Sequence, residues 1–334
     1  MKYLFELSKE HITIPTSEII SCLKAEKIDY KLIDSNPDIF LISTKEKNKI
    51  KILAKRLSHS FCIDKFLFSS ENSISKIKKL AQLKKINHKG SIAIKYRNRS
   101  NIVKSQNIIK ILADIYTKNR EVLLDKPDIE VRLIITDSNI YVGIKLFEIN
   151  RSQFEQRKVQ NRPFFSPISL HPKIARSIVN LSEIKEEQIL FDPFCGTGGI
   201  LLEAGLIGCK LIGSDIEKKM INGCKKTLNH YKINKFLLYI SDIGDISKFI
   251  DSVDAVVTDF PYGKSTTTKG EDRNNLYKRA FKNISLVLKK NCKAVIGISN
   301  KEEISIGEKY MTLIKIFEIK VHRSLTRYFA VYQN

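Results

Sequence analysis

From Gln188 onward the chain alternates short apolar runs with helix-like stretches, and this alternation limits the folds open to it more than any other feature. Strands read at 189–192, 210–215, 237–242, 255–259 and 294–299, with helical spacing between them. Repeated strand–helix–strand units imply parallel pairing, so the segment predicts an α/β fold with a doubly wound, mostly parallel sheet. Residues 313–322 and 327–333 then read as a terminal antiparallel pair. Four of the parallel strands end in aspartate: Asp192, Asp215, Asp242 and Asp259. One solvated acid at a strand end is unremarkable. Four on one rim repel each other and point to a ligand with a positive charge and several donors, bound beyond the carboxyl ends of the strands.

The first acid opens the run Asp192-Pro193-Phe194-Cys195-Gly196-Thr197-Gly198-Gly199, which leads into an apolar helix. Glycine lets the backbone turn sharply and come close to a ligand. The run is neither the Gly-x-Gly-x-x-Gly dinucleotide fingerprint nor a P-loop. An acid before the turn would repel pyrophosphate and suits the ammonium of an amino acid. A tight turn with no ligand is the alternative. Asp215, about twenty residues on, stands where a carboxylate accepts from ribose hydroxyls. Asp242 is placed to read an adenine amine, with Ile216 and Ile243 available to sandwich the ring. In this order the acids describe a nucleoside carrying an amino acid, S-adenosylmethionine. The expected cofactor contacts are Asp192, Pro193, Cys195, Gly196, Gly198, Asp215, Ile216, Asp242 and Ile243. No histidine is patterned beside Cys195, so it reads as a small packing residue of the turn and not as a nucleophile.

The fourth acid heads Asp259-Phe260-Pro261-Tyr262, after the run Ala255-Val256-Val257. Taken alone, these residues equally well end a strand in a turn. They also bring a carboxylate, a stiffened carbonyl and a flat ring to one spot. A planar amine on a heterocyclic base needs that combination to become nucleophilic, so the motif points to N-methylation of a nucleobase. Asp259, Phe260, Pro261 and Tyr262 are the expected catalytic residues.

The chain has 334 residues and a net charge of +22. Residues 45–110 hold eighteen Lys or Arg against three acids, Glu46, Asp64 and Glu71. Lysines can serve solubility alone, but a local positive field attracts a polyanion, and nucleic acid is the expected partner. No apolar run approaches the roughly 18 residues of a membrane helix, and the first ten residues do not read as a signal peptide. Six scattered cysteines form no Cys-x-x-Cys pair. The expectation is a cytoplasmic protein without a metal site, and nothing in the sequence demands a dimer, so a monomer is expected.

Before Gln188 the pattern is mixed. Short strand-like runs at 2–7 and 39–44 flank a helix-like segment at 17–26 that Ser17 is placed to cap. A strand at 91–96, an amphipathic helix through Ile108, Leu112 and Tyr116, and a hairpin of 130–136 with 140–147 follow. A polar connector, 150–162, leads to Pro163 and then to a helix opened by Pro172, with His171 at its start.

The runs Asp192-Pro193-Phe194-Cys195-Gly196-Thr197-Gly198-Gly199, Gly213-Ser214-Asp215 and Asp259-Phe260-Pro261-Tyr262-Gly263 together resemble the ordered motifs of Rossmann-fold RNA guanine-N2 methyltransferases. The stretch Arg162-Pro163-Phe164-Phe165-Ser166-Pro167, with Pro172-Lys173-Ile174-Ala175-Arg176 and Val179-Asn180-Leu181, is similar to the archaeal and eukaryotic tRNA (guanine-10-N2)-methyltransferase family. Gly263-Lys264-Ser265-Thr266 follows the archaeal members' pattern. The resemblance implies a class I, S-adenosylmethionine-dependent methyltransferase domain at 166–334, reached by a linker at 151–165. Ahead of it the family carries a ferredoxin-like piece, here 1–55, and a tRNA-binding THUMP domain, here 56–150. The implied reaction is methylation of guanosine 10 in tRNA at N2, once or twice. Rivals are another tRNA or ribosomal guanine, adenine N6, and a silent RNA-binding protein on the same fold. One position departs from the family, which commonly has Asp-Pro-Pro-Tyr: Phe260 replaces the first proline. Its role is expected to be its carbonyl, which any residue supplies.

Overall fold

The computed structural model describes residues 1–166, 169–261, 271–322 and 325–334. Its first elements are β1 (Lys2–Leu7), α1 (Ile14–Ala25), β2 (Lys31–Ser35), β3 (Ile39–Ser43), α2 (Ile50–Arg56), β4 (Ser60–Glu71) and α3 (Ile74–Leu83). They continue with β5 (Ile92–Asn98), α4 (Gln106–Tyr116), β6 (Ile129–Ile135), β7 (Asn139–Glu148) and α5 (Ser152–Gln156). The C-terminal part runs α6 (Pro172–Leu181), β8 (Ile189–Asp192), α7 (Gly199–Gly205), β9 (Lys210–Asp215), α8 (Lys218–His230), β10 (Phe236–Ile240) and β11 (Val253–Asp259). It closes with α9 (Arg273–Val287), β12 (Leu288–Ile298), α10 (Ile304–Glu308), β13 (Thr312–His322) and β14 (Leu325–Gln333). The chain forms two compact units. One is Met1–Ile12, Ile28–Ala54 and Ser60–Asn150; the other is Thr13–Lys27, Lys55–His59 and Arg151–Asn334.

The first unit is built on a seven-stranded sheet in the order β2-β3-β1-β4-β7-β6-β5. Its pairs are antiparallel except β5 with β6. Helices α3 and α4 cover one face, packing Ile77, Ala81, Ile108, Leu112 and Tyr116 against Ile92, Val131, Leu133 and Val142. Successive side chains of a strand point to opposite faces, so Glu130 and Arg132 on β6 turn away from that core. There Arg132 pairs with Glu6, Asp64 and Glu130, and Lys95 and Lys145 also reach Glu130. Burial holds the Asp64 carboxyl up to about 7 despite Arg132. Much of the basic charge stays in solvent: Lys78 and Lys79 on α3, then Lys84, Lys85 and Lys89, are all exposed.

The second unit carries a sheet in the order β10-β9-β8-β11-β12-β14-β13, whose first five strands are parallel. The terminal hairpin joins it antiparallel, with β14 against β12. The chain leaves β8 toward β9 and returns to place β11 on the other side, so the topological switch point lies between β8 and β11. One face is covered by α6, α7 and α8, through residues such as Ile178, Leu201, Cys224 and Leu228. The other is covered by α9 and the 3-10 segment Ile243–Lys248, through Ile246, Tyr277, Phe281 and Ile284. Helix α1 and Lys55–His59 belong to this unit. Buried Glu18 of α1 accepts from the Ser58 and His59 amides and from Asn180 of α6. Arg56 donates to Asn180 Oδ1 at 3.2 Å and to the Ile184 carbonyl at 2.6 Å.

Candidate active site

The glycine turn follows β8. Asp192 is 1 % exposed, and its Oδ1 accepts the Phe194 amide at 3.2 Å. Burial raises its carboxyl to about 7; the neighbouring carboxylates of Asp215 and Asp259 push the same way, against the Phe194 amide. The turn is locked to the next strand. Ser214 Oγ donates to the Pro193 carbonyl at 3.1 Å, and the Cys195 amide donates to the Ser214 carbonyl at 2.9 Å. Gly196 and Gly198 have φ of 49° and 80°, the left-handed region in which side chains are strained. They differ in surroundings. A Cβ on Gly198 would meet Cys224 Sγ at 2.5 Å, whereas one on Gly196 would find nothing within 4 Å. Gly198 is thus demanded by close packing on α8, and Gly196 faces open space. Cys195 is buried and its thiol lies against that of Cys224, which together with burial raises it well above the thiol range.

Asp215 ends β9 beside this turn. Its Oδ2 accepts the Gly196 amide at 3.0 Å and its Oδ1 the Glu217 amide at 2.9 Å, and burial still raises its carboxyl. Each oxygen keeps a second lone pair for a hydroxyl. Ile216 is partly exposed just beyond. Asp242 follows β10 and caps the 3-10 segment, its Oδ1 accepting the Gly244 amide at 2.7 Å. Arg279 of α9 also grips it, with contacts of 2.5 and 3.3 Å to the two oxygens, and binds Glu271 with its other donors. Ile243 is 2 % exposed and packs in the core with Ile246 and Leu276.

Asp259 closes β11 at the switch point. Its Oδ2 pairs with Arg327 Nη1 of β14 at 3.0 Å. Its Oδ1 is buried with no hydrogen-bond partner among the described residues. Burial raises the carboxyl to about 6, and Arg327 opposes that rise. Phe260 is anchored by its amide, which donates to the Gly297 carbonyl at 2.9 Å. Its ring is fully buried, 5.3 Å from Phe194, 4.8 Å from Tyr277 and 5.2 Å from Phe281 between centroids. The Pro261 carbonyl accepts from Tyr277 Oη at 3.1 Å. Tyr262, Gly263 and Lys264 to Thr268 lie outside the described residues, as does Pro167.

The second unit therefore brings Asp192, Pro193, Cys195, Gly196, Gly198, Asp215 and Ile216 together around one turn, with Asp242 and Ile243 at the end of the next strand. Asp259, Phe260 and Pro261 lie across the switch point from them. Three residues of the site escaped the sequence reading: Tyr277 and Arg279 on α9, and Arg327 on β14. Arg327 opens the predicted run 327–333, but only the insertion of β14 beside β12 brings it near Asp259. His171 proves to be an N-cap, its Nδ1 accepting the Lys173 amide at 3.2 Å. Among the described residues no group of three or more His, Cys, Asp or Glu could hold a metal ion. No described helix is long and apolar enough to cross a membrane.

These residues suit S-adenosylmethionine: a buried acid for an ammonium, open space at left-handed Gly196, and Asp215 fixed by two amides with a lone pair left on each oxygen. With the parallel sheet and its antiparallel terminal strands, they define a class I, S-adenosylmethionine-dependent methyltransferase. A family model described as "RMKL-like, methyltransferase domain" matches residues 160–328, and one described as "THUMP domain" matches 68–145. The chain is 32 % identical to the tRNA (guanine(10)-N2)-dimethyltransferase of Methanothermobacter thermautotrophicus, over 99 % of both chains. It is 35 % identical to the enzyme of that name from Pyrococcus abyssi, over 73 % of this chain and 74 % of the other. Among solved structures it is similar in fold to TrmN from Thermus thermophilus, with a TM-score of 0.58, 15 % identity and full coverage of both chains. The chain belongs to the archaeal and eukaryotic tRNA (guanine-10-N2)-methyltransferase family, which joins a THUMP domain to a Rossmann-fold methyltransferase.

Proposed function

We propose that the protein methylates the exocyclic N2 of guanosine 10 in tRNA, adding one methyl group and then a second. The observation that carries this reading is the end-to-end match at 32 % identity to a protein named for that reaction. The geometry supports it by setting Asp259, Phe260 and Pro261 on the same rim as the Asp192–Asp215 turn.

When bound, S-adenosylmethionine supplies an electrophilic methyl group on a positively charged sulfur. Asp192 would take the ammonium of its amino-acid end, Asp215 the ribose hydroxyls, and Asp242 with Ile216 the adenine, while Ile243, expected to sandwich the ring, is packed into the core instead. The guanine amine is a poor nucleophile because its lone pair is delocalised into the ring. Asp259 and the Phe260 carbonyl would accept its two N–H bonds and draw the nitrogen toward tetrahedral geometry. Asp259 would then receive the proton, a general-base role worth roughly 10²–10⁴-fold. A second round leaves one N–H, and Asp259 is the acceptor that must keep it. Tyr262 would stack on the base, which has to leave its helix at a cost of about a few kcal/mol. The exposed lysines of the first unit would hold tRNA through its phosphates. The six cysteines are free and five of them buried, which suits a reducing cytoplasm. Every proposed catalytic group comes from one chain, so a monomer suffices.

The test is incubation with labelled S-adenosylmethionine and a tRNA transcript, followed by mapping of the product. N2-methylguanosine at position 10, later replaced by the dimethylated nucleoside, is expected. Label on adenine or at another guanine would overturn the reading. Asp259→Ala should lower turnover by roughly 10²-fold or more while S-adenosylmethionine still binds.

A further inference from the structure

We infer that Arg327 is a positioning residue for Asp259, fixing its carboxylate across β12 at the end of β11. The inference rests on the reading of Asp259 as the group that engages the guanine amine. Three adjacent strands build the arrangement. Asp259 on β11 pairs in register with Gly297 on β12, and Gly297 pairs with Phe329 on β14, two residues beyond Arg327. A Cβ on Gly297 would lie 2.4 Å from Asp259 Oδ1 and 2.9 Å from the Phe329 ring. Only glycine leaves room for the carboxylate to lean over β12 and meet a guanidinium coming from the strand beyond.

The pair is mostly buried: the Arg327 side chain is 7 % exposed and that of Asp259 17 %. Oδ1 is shut away against Gly297 without a donor among the described residues, so the accessible part of the carboxylate lies on the Oδ2 side, the oxygen that Arg327 holds at 3.0 Å. A pair serving stability alone gains little from an arrangement that leaves one carboxylate oxygen buried and unsatisfied. An acceptor that must stay ionised in a dry site gains a great deal from a fixed cation. Two other titratable groups that feel the charge of Asp259 are Asp192 on β8 and Tyr277 on α9. Neither supplies positive charge: Tyr277 is kept neutral by burial, and Asp192 is another acid. On β12 the position opposite Asp259 is Gly297, which has nothing to titrate.

The sign of the pH effect follows. Burial lifts the Asp259 carboxyl to about 6 and Arg327 pulls it down, so removing Arg327 moves it further up. Activation of the amine needs the carboxylate, and turnover falls as pH drops through that pKa. Without Arg327 the fall comes at higher pH, by about one to three pH units for loss of an adjacent opposite charge. Asp192 titrates nearby, at about 7, but it acts on cofactor binding. Reading kcat at saturating S-adenosylmethionine and tRNA separates the two, because Asp192 then shows only in KM for the cofactor.

The experiment compares Arg327→Gln, Arg327→Lys and Asp259→Asn with the wild type from pH 5.5 to pH 9 (a window chosen to span roughly the carboxylate shifts expected for an adjacent charge). Arg327→Gln should bind S-adenosylmethionine within about twofold of wild type. Its kcat at pH 7 should fall about twofold for a one-unit shift and roughly tenfold or more for a shift of two or three, and recover in part as pH rises. Arg327→Lys keeps the charge and loses the planar fork, so its acid limb should stay in place while kcat drops several-fold. An Arg327→Gln enzyme with wild-type kcat and limb, or one equally impaired at every pH, overturns the inference. Should Arg327→Gln fail to bind the cofactor, Arg327→Lys decides: an upward-shifted limb or unchanged kcat overturns it. Asp259→Asn keeps the two failures apart. Wild-type turnover in Asp259→Asn sinks the reading of Asp259 itself. An inactive Asp259→Asn beside an unaffected Arg327→Gln sinks only the role of Arg327.

Discussion

At position 260 a phenylalanine stands where the family commonly has proline, and the structure gives its ring a task that the sequence reading did not assign. The ring fills a fully buried cluster with Phe194, Tyr277 and Phe281, while its amide donates to Gly297. The backbone that proline would stiffen is held instead by packing and by a hydrogen bond. Phe260→Pro, though it restores the family's tetrapeptide, should therefore destabilise the fold by about 3 kcal/mol or more. It deletes the donor and leaves a hole among three aromatic rings. Thermal unfolding measures this, and a melt equal to wild type would show that the cluster is dispensable. Asp192 allows a second test at this scale. Its carboxyl, held up to about 7 by burial, is largely neutral at pH 6 and charged at pH 8. In the role proposed for Asp192, attraction for the cofactor ammonium is absent below that range and gained as pH rises through it. S-adenosylmethionine affinity measured by calorimetry should strengthen from pH 6 to pH 8, and Asp192→Asn should remove the dependence. The acids themselves were legible because each ends an apolar run. Tyr277, Arg279 and Arg327 were not, because each reaches the site from an element distant in sequence.

Among the elements, the turn between β8 and α7 separates two glycines that look alike in the sequence. Both sit at positive φ, so alanine at either carries backbone strain of about 1–2 kcal/mol. At Gly198 it also drives a methyl to 2.5 Å from Cys224 Sγ, whereas at Gly196 it enters open space. Gly198→Ala should lower the melting temperature clearly more than Gly196→Ala. Gly196→Ala should weaken S-adenosylmethionine binding out of proportion to its small loss of stability. Melting and calorimetry on the two variants check this, and equal behaviour of both would remove the distinction between packing and ligand glycine. The parallel strands were readable from their buried apolar runs, and the hairpin β6–β7 from its turn. Other elements were not. β4 runs from Ser60 to Glu71 through Asp64 and Lys65, whose charges hide its alternation. Helix α1 begins at Ile14, so Ser17 lies inside it and caps nothing. The terminal pair was legible as a hairpin, but nothing local says that β14 pairs with β12, and that pairing delivers Arg327.

For the whole molecule, the charge and the chemistry fall to different units, and this predicts which measurements each can move. The sheet, turn and acids that fit the cofactor belong to the second unit, while a dense run of lysines lies in the first. Lys78, Lys79, Lys84 and Lys85 are exposed and form no ion pair with any described residue. Their field is therefore not spent internally, unlike that of Arg132 or Lys145, which neutralise buried acids. Replacing the four by glutamate should weaken tRNA binding in a way that depends on salt. Each lost phosphate contact lowers the slope of log affinity against log salt by about 1, so the variant should show both a lower affinity at low salt and a flatter dependence. S-adenosylmethionine affinity and kcat at saturating tRNA should hold, with the whole effect in KM for tRNA. Filter binding and kinetics over a salt series decide the matter. An unchanged slope would mean that these lysines serve solubility and that tRNA is held elsewhere. A fall in kcat with unchanged KM would mean that they act in the transition state, not in holding the substrate.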